Sequence, residues 1–136
     1  MSEIESLLPH RNPFLYVDKI LSATLDEIIG TTIFDDSDSF LKSSFPDDGF
    51  VPGMILVESM AQCGGAGARK LNATEGMFGL AGIESACFHA GVEFGKTVKM
   101  IIKNLKISGR IVKQSGIAYV DEVPVAEATW TCVKIS

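Results

Sequence analysis

Apolar residues keep a strand-like order over most of the chain and a helix-like one near its middle. Leu15 to Leu21 and Glu27 to Phe34 carry Ile, Val, Tyr and Thr at the density that suits a pleated, half-buried surface. They predict two strands, with Gly30 a candidate bulge. Ile4 to Leu8 reads as a short helix stopped before Pro9, and Asp35 to Gly49, rich in Asp, Ser, Gly and Pro, reads as a loop. Gly53 to Lys70 is the best helix candidate. Pro52 stands at its entrance, where a missing N–H costs least, and Arg69 and Lys70 suit the negative end of its dipole. Its middle, with Ala61, Gly64, Gly65, Ala66, Gly67 and Ala68, is a poor choice on local propensity, because each glycine costs a helix about 1 kcal/mol relative to alanine. Such small side chains make sense if a sheet wraps closely around the helix and burial outweighs propensity.

After Gly79 the pattern turns to strands, expected at Leu80 to Ala90, Thr97 to Ser108, Ile111 to Asp121 and Pro124 to Ile135. One signal conflicts with this. Lys96, Lys99, Lys103, Lys106, Arg110 and Lys113 recur by threes and fours, which is helical spacing. Gly95, Gly109 and Gly116, with β-branched Val98, Ile101, Ile102, Ile107, Ile111 and Val112, argue against a helix. Strands are therefore expected, with a turn or bulge near Gly109 changing the face that the basic residues occupy. One central helix and a long C-terminal meander make an α+β fold with an antiparallel sheet. The 136 residues, without repeats or a linker, fit a single domain, 1–136.

Composition then excludes whole classes of function. With 46% hydrophobic and 21% charged residues the chain is globular, and its longest central apolar run, Met54 to Val57, is cut by Glu58, so no membrane span is expected. The acidic opening residues lack the basic start and apolar run of a secretory signal, so a cytoplasmic protein is expected. Cys63, Cys87 and Cys132 have no metal-ligand spacing, and they read as buried or semi-buried thiols with no metal and no disulfide framework. A net charge of −5 argues against nucleic acid, yet the charge is segregated. From Phe94 to Val120 there is no acid, and the basic stretch Lys96 to Lys113 is either a solvated strand surface or a means of steering an acidic or phosphate-bearing partner.

Three segments resemble the hotdog-fold 3-hydroxyacyl-(acyl carrier protein) dehydratases of fatty-acid synthesis. Leu8-Pro9-His10-Arg11-Asn12-Pro13-Phe14-Leu15-Tyr16-Val17-Asp18 is similar to the family's opening motif. Ser44-Phe45-Pro46 and the run Val51-Pro52-Gly53-Met54-Ile55-Leu56-Val57-Glu58-Ser59-Met60-Ala61-Gln62 resemble its active-site loop and central helix. Gly82-Ile83 and Gly116 to Glu127 resemble its later strands. The resemblance implies a hotdog fold, a curved antiparallel sheet wrapped around a long helix. It also implies a dimer with active sites at the interface, an apolar tunnel for the acyl chain, and substrate delivered on acyl carrier protein or as a CoA thioester. It implies no metal and no bound cofactor.

Dehydration of a 3-hydroxyacyl thioester removes a proton from C2 and protonates the leaving hydroxyl, so it needs a base, an acid and a group that polarises the carbonyl. Carried onto this chain, the family's glutamate is Glu58, which follows an apolar run where desolvation favours a protonated carboxyl. Gln62 lies one turn later on the same face and is a candidate to orient it; Gly53 matches the position whose N–H faces the thioester oxygen. Ser44, Phe45, Pro52, Met54 and Phe88 are expected to line the site.

The family's histidine does not carry over. Ser44 stands immediately before Phe-Pro where the family has histidine, and Asp47 and Gly49 replace its usual glycine and proline. Ala86-Cys87-Phe88-His89 departs from its arginine-rich strand, and Phe94 replaces the proline before the next glycine. A serine hydroxyl is far too weak a base to take a C2 proton unaided. His10 and His89 are the two remaining candidates for proton transfer, each with an equally plain structural reading.

Three functions follow for testing. The first is a dehydratase-like protein acting on acyl thioesters in fatty-acid or polyene-type assembly, through a Glu58-centred or rearranged site. The second is a non-catalytic subunit that binds acyl carrier protein or pairs with an active homologue as a heterodimer. The third is a thioesterase in which Glu58 activates water or attacks directly. The expected assembly is a homodimer or a higher homo-oligomer.

Overall fold

The computed structural model describes residues 2–35, 39–44, 47 and 49–136. The elements run α1 (Glu3–Leu7), β1 (Lys19–Ala23), β2 (Glu27–Ile33), α2 (Ser39–Lys42), α3 (Gly53–Lys70), β3 (Phe78–Phe88), β4 (Thr97–Ile107), β5 (Ile111–Val120) and β6 (Val123–Lys134). The six strands form one antiparallel sheet in the order β1-β2-β4-β5-β6-β3, and α3 touches every one of them. This is the hotdog arrangement, a curved sheet wrapped around a central helix.

Alternation along the strands builds the face that receives α3. Val98, Met100 and Ile102 of β4, Val112 and Ala118 of β5, and Ala126, Ala128 and Trp130 of β6 all point inward and are buried. The helix answers with Leu56, Val57, Met60 and Cys63. Two of its glycines mark where sheet and helix come closest. A Cβ at Gly67 would run into Ile28 of β2, and one at Gly64 would run into the side-chain amide of Gln114. That amide donates to the Gly64 carbonyl at 3.2 Å and to Asn104 Oδ1 at 2.8 Å, and it accepts from Trp130 Nε1 at 3.3 Å. The buried polar group is thus fully engaged, as its burial requires. The small-residue helix is a product of this close packing.

The bounds differ from the sequence reading in instructive ways. The first strand starts at Lys19 and not Leu15, because the Tyr16 N–H is taken by Gln62 of α3 and not by a neighbouring strand. The bulge falls on Leu21 of β1, where the register shifts between Ile20 and Ser22; Gly30 itself stays in register, and a Cβ there would lie 2.5 Å from Cys63 Sγ. The loop Asp35 to Gly49 contains the short helix α2, and β3 begins two residues earlier than expected, at Phe78.

The basic spacing resolves through a second bulge, between Asn104 and Lys106. The extra residue brings Lys106 opposite Lys113, on the same outer face as Lys99 and Lys103, while Ser108 and Arg110 form the turn at Gly109. Lys103 pairs with Glu27 at 2.5 Å and Lys113 with Glu84 at 2.9 Å, so part of the stretch is an ion-paired sheet surface. Of the cysteines, Cys63 is buried and Cys132 half-buried, but Cys87 is exposed. Its strand, β3, ends the sheet and shows most of both faces to solvent.

Candidate active site

Glu58 stands on the face of α3 that meets the opening motif. The chain enters through a cis Asn12–Pro13 peptide, and Phe14 to Tyr16 then lie along the helix. Gln62 locks them there. Its Oε1 accepts the Tyr16 N–H at 2.8 Å, and its Nε2 donates to the Phe14 carbonyl at 3.1 Å and to Glu58 Oε2 at 2.9 Å. Gln62 is 2% exposed and its bond to Tyr16 is made out of water, where an unmade bond is costly, while those to Phe14 and Glu58 are part-buried. Ser59 adds a bond from its hydroxyl to the Tyr16 carbonyl at 2.5 Å. The same motif that supplies the histidine therefore fixes the carboxylate.

His10, like Gln62, approaches Oε2 of that carboxylate. Its Nε2 is 3.8 Å from Glu58 Oε2, and its Nδ1 is buried with no hydrogen-bond partner among the described residues. Arg11 holds the turn by donating from Nη1 to the Leu8 carbonyl at 2.8 Å and to the His10 carbonyl at 2.7 Å. The Glu58 side chain keeps 22% of its surface exposed and that of His10 30%, so the pair is reachable from outside and not sealed in the core. Cys132 of β6 is close enough to feel the carboxylate: burial, and then the charge of Glu58, pushes its thiol up to about 11.

The other site candidates gather elsewhere. Phe88 packs on Gly53, where a Cβ would come to 3.0 Å from its ring and push it outward. Val51, Gly53, Leu56, Phe88 and His89 line one cleft of about 320 Å³. His89 is exposed and its Nε2 lies 2.9 Å from Glu127 Oε2; it is not part of the Glu58 cluster. Pro52 caps α3, and Met54 is 56% exposed. The Ser44 hydroxyl donates to the Leu41 carbonyl at 2.7 Å. Phe45 lies outside the described residues.

Helix geometry separates the two groups. Five residues of helix place Gly53 and Glu58 about 140° apart around the axis and about 7.5 Å along it. One chain thus presents an N-terminal half, Gly53 with Phe88, and a carboxylate half, Glu58 with Gln62 and His10, on different faces. Sequence reasoning passed over Ser59, Arg11 and Cys132. For Ser59 a polar residue on a buried helix face was the available signal; Arg11 in the loop after α1 and Cys132 on a strand offered none.

Residues 2–99 match the model of the ApeP-like family, described as ApeP dehydratase. The chain is 38% identical over 136 residues to the 3-hydroxyacyl-[acyl-carrier-protein] dehydratase FabZ of Solibacter usitatus, covering 97% of this chain and 83% of that protein. It is 35% identical over 130 residues to the FabZ of Desulforamulus reducens, with 94% and 92% covered. The chain belongs to the hotdog-fold 3-hydroxyacyl-ACP dehydratase family. A solved structure, the dehydratase heterocomplex ApeI:P from Xenorhabdus doucetiae, matches the fold of this dehydratase-family chain with a TM-score of 0.84 at 15% identity. That match covers 100% of this chain and 93% of the other.

Proposed function

We propose that this chain is a dehydratase-like protein that interconverts 3-hydroxyacyl and 2-enoyl thioesters carried on acyl carrier protein or CoA, with Glu58 as its proton-transferring group. The observation that carries the reading is the Gln62–Glu58–His10 cluster on the family's central helix: a carboxylate held at 2.9 Å by a buried amide, with an imidazole 3.8 Å away. Removal of the C2 proton, expulsion of the C3 hydroxyl as water and formation of the C2=C3 double bond leave the protein unchanged if one carboxylate accepts the first proton and returns it to the leaving oxygen. His10, with Nε2 3.8 Å from Glu58 Oε2, could hold or pass on a proton, and Gln62 is a positioning residue. Gly53 at the positive end of α3 suits a thioester oxygen. Because Gly53 and Glu58 face apart, a working site takes its carboxylate half from one chain and its N-terminal half from a second, across a dimer. A cytoplasmic setting in acyl-chain assembly belongs to the same reading.

Ser44 favours a second arrangement beside it. A chain without the histidine can still donate Glu58 to a homologue that keeps one. Such a heterodimer would hold one complete site and one without a base, and the FabZ relatives and the ApeI:P heterocomplex make dehydratase partners the kind to try. The test is product analysis of a 3-hydroxyacyl thioester incubated with the pure chain, with its Ser44→His variant, and with the chain mixed with a histidine-bearing homologue. A 2-enoyl product from the chain alone supports the self-sufficient enzyme. Product in the mixture at up to half the sites expected supports the partner subunit. Release of free thiol would replace both readings with thioester hydrolysis.

A further inference from the structure

Gly65 is a helix glycine that the packing of the chain does not require. Cβ atoms at Gly64 and Gly67 would collide with Gln114 and Ile28, whereas one at Gly65 would meet Leu8 Cδ2 at an ordinary 3.7 Å. It lies on the same face of α3 as Glu58, Gln62 and Arg69, since positions 58, 62, 65 and 69 fall within about 60° of one another around a helix. Beside it opens a cleft of about 410 Å³ whose walls include Leu8, His10, Met77 and Phe78, with Arg69 also on its rim. That volume is within the range of small-molecule sites, about 300–1,000 Å³. His10 belongs both to the cleft and to the Glu58 cluster. The missing side chain of Gly65 therefore leaves room in a cleft with an apolar side, Leu8, Met77 and Phe78, and a polar one, Ser6, Thr74 and Arg69, which His10 joins to the Glu58 cluster.

We infer that Gly65 sets how long an acyl chain this site accepts, with the tail of the thioester running from Glu58 past His10 and over Gly65 toward Arg69. The inference rests on the acyl-thioester reading. If C2 and C3 lie at Glu58 and the thioester at a helix N-terminus, the remaining carbons need an apolar path leading away from the carboxylate, and the Leu8, Met77 and Phe78 side of this cleft is such a path. A longer side chain at 65 would fill it, while a tail that stops short of Gly65 would be untouched. Pockets of this kind discriminate by about 10- to 200-fold per methylene gained or lost.

The experiment is equilibrium binding, which needs no turnover, of unreactive thioether analogues of acyl-CoA bearing four-carbon and ten-carbon chains. The proteins compared are wild type, Gly65→Ala and Gly65→Leu, with the mass of each measured by sedimentation. The expected result is a ten-carbon affinity that falls about 100-fold or more in Gly65→Leu and by a smaller step in Gly65→Ala, while four-carbon binding stays within about threefold. Gly65→Ala keeps or raises the thermal midpoint, since alanine favours the helix and has space, so a misfolded variant is not the explanation. An equal loss for both chains, or no loss, overturns the role of Gly65. So does a variant of altered mass, which would make this face a contact between subunits. Wild type that binds neither analogue would instead remove the acyl-thioester reading on which the inference rests.

Discussion

Gln62 makes more of the site than any other single residue, because one amide ties the opening segment to the helix and the helix to Glu58. In Gln62→Leu the Tyr16 N–H loses its partner in a buried setting, at about 1–3 kcal/mol, and the part-buried Phe14 carbonyl loses one at a smaller cost. The expected outcome is a clear fall in the urea midpoint together with loss of ligand binding at Glu58; a variant as stable as wild type would show that these bonds are replaceable. The thiols give a pH dependence. Burial raises Cys63 to about 12 and Cys132 to about 11, from 9.0. A thiol whose folded pKa is raised contributes stability that is complete below the unfolded value and lost as pH rises toward the folded one. The thermal midpoint is therefore expected to fall between about pH 9 and pH 11, and to fall less steeply in Cys132→Ala. At this scale the sequence showed Glu58, Gln62 and Gly53 through a motif. It did not show that His10, and not His89, lies beside the carboxylate, because 48 residues separate His10 from Glu58 and long-range bonds from Gln62 and Ser59 to the opening segment bring them together.

The helix α3 was legible from end to end, since its entry proline, its basic exit and the small-residue core are all local signals. Its packing was not. Three of its glycines look alike in sequence, yet Gly67 is closed by Ile28 and Gly65 is open. Gly67→Ala is accordingly expected to destabilise by about 1–3 kcal/mol through overpacking, despite the helix preference for alanine, while Gly65→Ala does not. Calorimetric midpoints of the two variants check the contrast, and equal midpoints would refute it. The strands were found as elements, and β2, β4 and β5 start where expected, at Glu27, Thr97 and Ile111; β3 and β6 start two and one residues early, and β1 starts four residues late because a side chain distant in sequence, Gln62, takes the Tyr16 N–H. The second bulge explains how a helix-like spacing of lysines sits on a strand, which a period count alone cannot express.

At the scale of the whole molecule, β3 is the feature that a single chain leaves unfinished. It is an 11-residue strand at the edge of the sheet, with Leu80, Ile83 and Phe88 among its exposed residues, and such an edge invites another strand. A charge there, as in Ile83→Lys, is expected to shift the sedimenting species from dimer toward monomer without unfolding it; an unchanged mass would place the contact elsewhere. Under the proposed reading assembly matters for chemistry, because Gly53 and Glu58 face apart within one chain and a monomer would hold two half-sites and no whole one. What survives every arrangement is the carboxylate. The most direct test is the rate at which the purified protein, alone or with a histidine-bearing partner, hydrates a short 2-enoyl thioester, compared with its Glu58→Gln variant. The account predicts a rate lower by about a hundred- to ten-thousand-fold in Glu58→Gln at an unchanged unfolding midpoint. A Glu58→Gln protein that turns over as fast as wild type would contradict it.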